Sequence, residues 1–329
     1  MKIELIKIKL FSVLICIFMF YSCDPEHRET IEPEKPSIEN PEEPEGPESP
    51  DEPEIPSTNT IINLNNEFMI VGSNSWNSVA YGNGIFVVGG SEGYVTTSTD
   101  EGKTWSTPKQ LVTIGSWSNV IYANGSFMML NFHNGKLATS TDGTIWTIGD
   151  TYSLSYWRGL AYGNGIYVAV GPSNGIMMTS PDGKTWTKRT VGSMTWKDIA
   201  YGNGIFIAIA DGYFVTSTDG ITWTNQKRIP NISRGYDIIT FGNGKFVVAE
   251  GYRGNTQTTT DGVTWTTPNT SSGNHSWQDI AAGNGKFILV GNSGYIATST
   301  DGITWAPTQI KDEAGSPVTL ILYGVCATQ

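Results

Sequence analysis

The stretch STDGITW occurs at Ser217–Trp223 and again, letter for letter, at Ser299–Trp305. Near copies stand at Ser98–Trp105, Ser140–Trp146, Ser180–Trp186 and Thr258–Trp265. The closing tryptophan therefore falls at 105, 146, 186, 223, 265 and 305, a spacing close to forty residues. A second aromatic opens each copy: Trp76, Trp117, Trp157, Trp196, Tyr236 and Trp277. Self-similarity at such a period means that one supersecondary unit is repeated and that neighbouring units bury each other's apolar faces.

Each unit reads as four short strands. The first is W-x-x-I-A-Y, as in Trp196–Tyr201, and it runs into a Gly-Asn-Gly turn. Asn-Gly supplies the positive φ values of a tight hairpin. A continuous apolar strand follows, such as Ile205–Ala210, then a variable loop, then a strand ending in T-S-T. The Asp-Gly turn leads to T-W and the fourth strand. No segment keeps a helical period, and Gly or Pro interrupts nearly everywhere. Four antiparallel strands per forty residues describe an all-β β-propeller. Six full copies suggest six four-stranded blades. Asn66–Gly72 is like a second strand and Leu320–Gly324 like a first strand, so the chain ends have the material for a partial seventh.

The repeated phrase S-x-D-x-G-x-T-W resembles the Asp-box, or BNR repeat, of sialidase-like and sortilin-like propellers and photosystem assembly factors. Ser98–Trp105 fits the full spacing, and the other copies drop one residue before Gly. The likeness spans about Trp76–Trp305 and implies the fold more than an activity. The aspartates Asp100, Asp142, Asp182, Asp219, Asp261 and Asp301 read as turn-holders that accept backbone N–H groups.

The Gly-Asn-Gly and Asp-Gly turns share one face of such a fold, and the varied loops share the other. Variation on a common frame marks the varied face as the binding face. Its loops hold Phe132, His133, Asp211, Tyr252 and Arg253. The opening aromatics Trp76, Trp117, Trp157, Trp196, Tyr236 and Trp277 start their strands near it. They are either stacking platforms for a sugar or wedges between blades.

Catalysis has little support. A glycosidase needs two carboxylates facing one bond. Asp198, Asp237 and Asp279 recur close behind the opening aromatics and read as structural. Asp211 and Glu250 are the best remaining pair, because they fall in equivalent loops of adjacent units, with Arg253 nearby. Sialidases place an Arg-Ile-Pro motif ahead of their first Asp-box, whereas Arg228-Ile229-Pro230 follows the fourth copy here. His133 and His275 stand alone, Cys326 has no His beside it, and no metal or cofactor motif appears.

The N-terminus is of another kind. Lys2, Lys7 and Lys9 precede an apolar run from Leu10 to Phe20, and Tyr21-Ser22-Cys23 follows. This resembles a bacterial lipoprotein signal, with Cys23 as the lipidated mature N-terminus. Residues 24–56 carry nine of the sixteen prolines and thirteen acids, a composition that forms no core and stays extended. The chain is thus expected to divide into a signal (1–22), a Pro/Glu-rich linker (23–56) and a propeller (57–329). The net charge of −11 belongs to the linker, which leaves the propeller near neutrality and argues against nucleic acid. The expected protein is a monomeric binding module on the outer membrane of a bacterium, facing outward, with glycan or a protein as its partner. A glycoside hydrolase or an assembly scaffold for a membrane complex are the alternatives.

Overall fold

The computed structural model describes residues 61–328, apart from 73–75, 151–155, 232–234, 236, 271 and 313. Cys23, the signal, the linker and Tyr236 lie outside the described residues. Seven antiparallel sheets are present, so the chain forms a seven-bladed β-propeller. The expectation leaned to six, with the terminal strands as material for one more. Those strands do form it.

Blade 1 shows the regular plan. Trp76–Gly82 is innermost, Ile85–Gly90 and Tyr94–Ser98 follow outward, and Lys109–Gln110 is the outer strand. The inner strands of the next five blades are Trp117–Ala123, Gly159–Gly163, Asp198–Gly202, Ile238–Gly242 and Trp277–Gly283. Blade 7 is assembled from both ends of the chain. The closing strand Leu322–Ala327 is innermost, Phe68–Gly72 pairs with it, and Ile61–Leu64 lies outside. Leu322 takes the place of the opening aromatic, and this blade carries no copy of the repeated phrase. Both facts hid it from the period.

The second strands explain the packing. Each is a continuous apolar run because both of its faces are buried. In blade 4, Phe206, Ala208 and Ala210 join the core shared with blade 3, while Ile207 and Ile209 join the core shared with blade 5. Seven such clusters of described residues lie between neighbouring blades. The first glycine of the Gly-Asn-Gly turn serves the same contact. A Cβ on Gly202 would stand 2.1 Å from the Phe241 ring of the next blade, and one on Gly163 2.2 Å from Tyr201. The asparagine of the turn adopts positive φ, 47° at Asn203 and Asn243, and its amide reaches the following blade. Asn203 Nδ2 donates to the Gly244 carbonyl at 2.9 Å and to the Thr260 carbonyl at 3.0 Å.

The repeated phrase holds a turn. Ser217 donates to Asp219 Oδ1 at 3.0 Å, and the same oxygen accepts the N–H groups of Ile221 and Thr222 at 2.8 and 2.7 Å. Gly220 N–H donates back to Ser217 Oγ at 2.8 Å. The Trp223 indole N–H closes the turn on the Gly220 carbonyl at 3.1 Å. The Asp182 and Asp142 turns repeat this set. In these three turns the two backbone donors are the main reason the carboxyl pKa sits at about 2, the N–H three residues on first and the one two residues on next.

Candidate functional site

The varied face surrounds the mouth of the central channel, and a cavity of about 480 Å³ opens there. One position of the repeat, the residue directly after the opening aromatic, runs all the way round its wall. Blades 1 to 7 contribute Asn77, Ser118, Arg158, Lys197, Asp237, Gln278 and Tyr323 in turn. All seven carry a polar group, and the blades differ in which one.

A backbone irregularity presents several of them. Trp76 pairs with Gly90 and Ser78 with Gly89, so Asn77 is an extra residue squeezed out of the ladder. Ser118, Gln278 and Tyr323 stand in the same kind of register shift. A β-bulge bends its strand and re-aims the extra side chain, and such bulges concentrate beside functional sites. The aromatic before the bulge turns into the interface between blades. Trp76, Trp117, Trp157 and Trp196 are 0% exposed and Trp277 2% exposed. As stacking platforms these residues are therefore corrected: they are wedges, with no ring face turned to solvent.

The next position inward is structural. Asp198 accepts the N–H of Ile199 at 2.8 Å and that of Ile239, in the following blade, at 2.9 Å. Asp279 accepts Ile280 N–H at 2.8 Å and Val325 N–H at 2.9 Å in the same way. Each carboxylate clasps two blades at the channel wall. Burial pushes the pKa of each up to about 7 against the pull of these donors, and Asp279 adds repulsion at Asp198. The structural reading holds for these two. Asp237 differs, because it directly follows residue 236 and so belongs to the varied ring. Its Oδ1 accepts from Lys197 Nζ at 2.6 Å.

The charges of the ring are uneven. Lys197 also reaches Asp211 at 2.7 Å; burial pulls its pKa down, and the two carboxylates together outweigh that and raise it. Arg158 has no carboxylate within ion-pair distance among the described residues. Its guanidinium lies over the Phe132 ring, 5.5 Å from the centroid. Phe132 meets His133 and Tyr156 edge-on at 5.0 and 5.3 Å. Tyr252 stands 72% exposed on the opposite rim, beside the exposed Arg253. Asn119 Oδ1, also on the wall, is buried and finds no donor among the described residues.

Sequence reasoning thus placed Phe132 and Tyr252 on the cavity and His133 and Arg253 beside them. The structure does not bring the expected pair Asp211 and Glu250 together. Glu250 is 3% exposed, accepts from the Asn255 amide within its own loop, and does not line the cavity. Asp211 is held by Lys197 at the rim. The two do not form a facing pair, because one is spent on shaping a loop and the other on an ion pair. Arg228-Ile229-Pro230 begins in the outer strand of blade 4, with Ile229 buried between blades 4 and 5. Cys326 is a free thiol packed beside the core between blades 7 and 1, and burial pushes its pKa up.

A family model described as the DUF6242 beta propeller domain matches residues 63–194. That span covers less than half of the chain. Solved structures extend the likeness over most of it. A streptogramin B lyase is 12% identical with a TM-score of 0.64, covering 79% of this chain and 91% of that one. YCF48 bound to the D1 peptide is 17% identical with a TM-score of 0.59, covering 82% and 96%. A catalytically inactive virginiamycin B lyase from Staphylococcus aureus with quinupristin is 12% identical with a TM-score of 0.65, covering 77% and 91%. No curated protein matches the sequence. At these identities the likeness is one of fold, and the lyases' activity does not carry over.

Proposed function

We propose that this chain is a lipid-anchored, extracytoplasmic propeller of the Asp-box type that binds a polar ligand, a glycan or a segment of a protein partner, at the channel mouth. One observation carries the reading. Seven blades of nearly uniform sequence each place a different polar side chain around one cavity, at the position that a bulge or the strand start frees from the ladder. Uniform strands serve the fold, while a varied ring serves recognition. Among the described residues Arg158 is a cation without a carboxylate partner, which favours a ligand carrying an anionic group, such as an acidic sugar. Phe132 and Tyr252 offer apolar surface on either side. Two of the similar propellers carry a bound molecule, the D1 peptide in one and quinupristin in the other, which supports reading this one as a binder.

The anchor rests on the Tyr21-Ser22-Cys23 sequence and the Pro/Glu-rich stretch behind it. Hydrolysis is the weaker reading, because the carboxylates best suited to it are not assembled. The test is a glycan array and an envelope pull-down with the full chain, alongside a reducing-sugar assay. Retention without sugar release is expected, and Arg158→Ala should weaken it by about tenfold or more. A blank array with no co-purifying protein would sink the proposal, as would binding indifferent to Arg158→Ala and Asp237→Asn.

A further inference from the structure

Blade 7 lacks the turn that the other blades lay onto their predecessors. The glycine of the repeated phrase shows where that turn sits. A Cβ on Gly220 would meet Val168 of blade 3 at 2.9 Å, one on Gly262 Thr216 of blade 4 at 2.9 Å, and one on Gly302 Val247 of blade 5 at 2.6 Å. A tie from the Gly-Asn-Gly asparagine marks the same seat. Asn164 donates to the Thr218 carbonyl at 2.7 Å, Asn203 to the Thr260 carbonyl at 3.0 Å, and Asn243 to the Thr300 carbonyl at 3.4 Å, each in the next blade's turn.

One blade further on, the counterparts are Lys286, Ile288, Thr298 and Asn284 of blade 6. Asn284 keeps its bond to the start of the neighbouring second strand, the Glu67 carbonyl at 3.1 Å. Among the described residues it has no second carbonyl to match those of blades 3 to 5. Where the turn would lie, a groove of about 580 Å³ opens, with Lys286, Ile296 and Thr298 on one wall and Leu64 and Phe68 on the other. Alongside runs Ile61–Leu64, paired on one edge with Phe68–Gly72 and bearing no further strand among the described residues. Blades 1 to 4 and blade 6 each carry a fourth strand in that place.

We propose that this groove is a docking site for an extended segment of a second polypeptide, which completes blade 7 by strand addition along Ile61–Leu64. Main-chain pairing with an open strand edge supplies affinity, and side-chain pockets supply selectivity. The filled seats of the other blades state the chemistry of the occupant: small hydroxyl residues, a tight turn and an aromatic ring. The charges lining the groove, Lys286 and Glu67, neutralise each other at 2.7 Å, so the occupant is uncharged at that point. Residues 24–56 of this chain are the wrong material. One proline is tolerated in an outer strand, as Pro307 is in blade 6, but nine prolines leave few ladder donors and thirteen acids suit no neutral groove.

A labelled synthetic peptide copying Ser299–Gln309, the phrase and fourth strand of blade 6, is the probe. Fluorescence anisotropy with the full chain should give saturable binding. Replacing the tryptophan of the peptide (Trp305→Ala) should weaken it by about tenfold or more. Thr298→Arg, which fills the groove, should do the same, and Thr300→Arg at the exposed lip serves if Thr298→Arg does not fold. Arg158→Ala, at the channel mouth, should leave the peptide affinity unchanged. Absence of saturable binding, or binding untouched by the groove variants, overturns the proposal. Loss of binding in Arg158→Ala overturns it too, since the peptide would then sit in the channel. So does a concentration-dependent dimer that Thr298→Arg abolishes, which would give the groove to a second copy of this chain.

Discussion

On one face of the propeller, turns of nearly identical sequence hold nearly identical bonds; on the other, seven side chains at a single position of the repeat all differ. The serine-to-aspartate bond of the repeated phrase runs from 2.8 to 3.0 Å in the five blades that carry serine. The channel ring passes from amide to hydroxyl, guanidinium, ammonium, carboxylate and phenol within one circuit. The same strands connect both faces. A change on the regular side should therefore be felt as lost stability, and one on the varied side as lost recognition.

The comparison is broken most forcefully at the wedge between blades. Trp196→Ala removes a fully buried ring and should cost about 3–5 kcal/mol in denaturant unfolding, for all that its residue lies near the varied face. If the loss is small, the wedge assignment fails. Gly202→Val on the regular face drives a side chain into Phe241 and should cost about 1–3 kcal/mol. Arg158→Ala should reverse the pattern, with an unchanged melting temperature and ligand binding weakened by about tenfold or more. Tyr252→Ala, at an exposed rim, should lower affinity only a few-fold and leave stability alone.

Titration separates the two faces by sign. The turn aspartates Asp142, Asp182 and Asp219 have a folded pKa of about 2, below the ordinary 3.8. Their contribution is present above pH 3.8 and is lost as pH falls through about 2. Asp198 and Asp279 have a folded pKa of about 7, above the ordinary value. Their contribution is full below pH 3.8 and is lost as pH rises through about 7. Melting curves from pH 5 to pH 9 should fall with rising pH in the wild type and fall less in Asp198→Asn. A wild-type curve flat across that window would show that the clasp carboxylates are ordinary acids.

The regular face was legible in the sequence because its work is local. A Gly-Asn-Gly turn needs positive φ, an Asp-Gly turn needs a nearby acceptor, and both demands recur in the letters. Blade 7 was half legible, since its strands resemble repeat strands but lie at opposite ends of the chain, without the phrase and with Leu322 for the opening aromatic. The varied ring is written in the sequence one residue behind each opening aromatic, without a common letter to mark it. The conspicuous aromatics mask it, and a β-bulge, which leaves no mark in the letters, is what aims several of its side chains. Asp237 looks like a counterpart of Asp198 and Asp279 but stands one residue nearer its aromatic, which puts it in the ring. Glu250 could not be judged at all, because whether a loop carboxylate faces outward or braces its own loop depends on Asn255 and the backbone around it.

The closing strand sets an order on biosynthesis. The hydroxyl of Thr328 reaches the Asn66 carbonyl at 2.8 Å, joining residues 262 positions apart. Contacts this distant in sequence are the slow ones to form. Because Leu322–Ala327 is the innermost strand of its blade, a nascent chain holds six sheets and a gap until that strand has been made. A premature stop ahead of Leu322 would release a curved, unsealed array, with Phe68–Gly72 left without its inner neighbour.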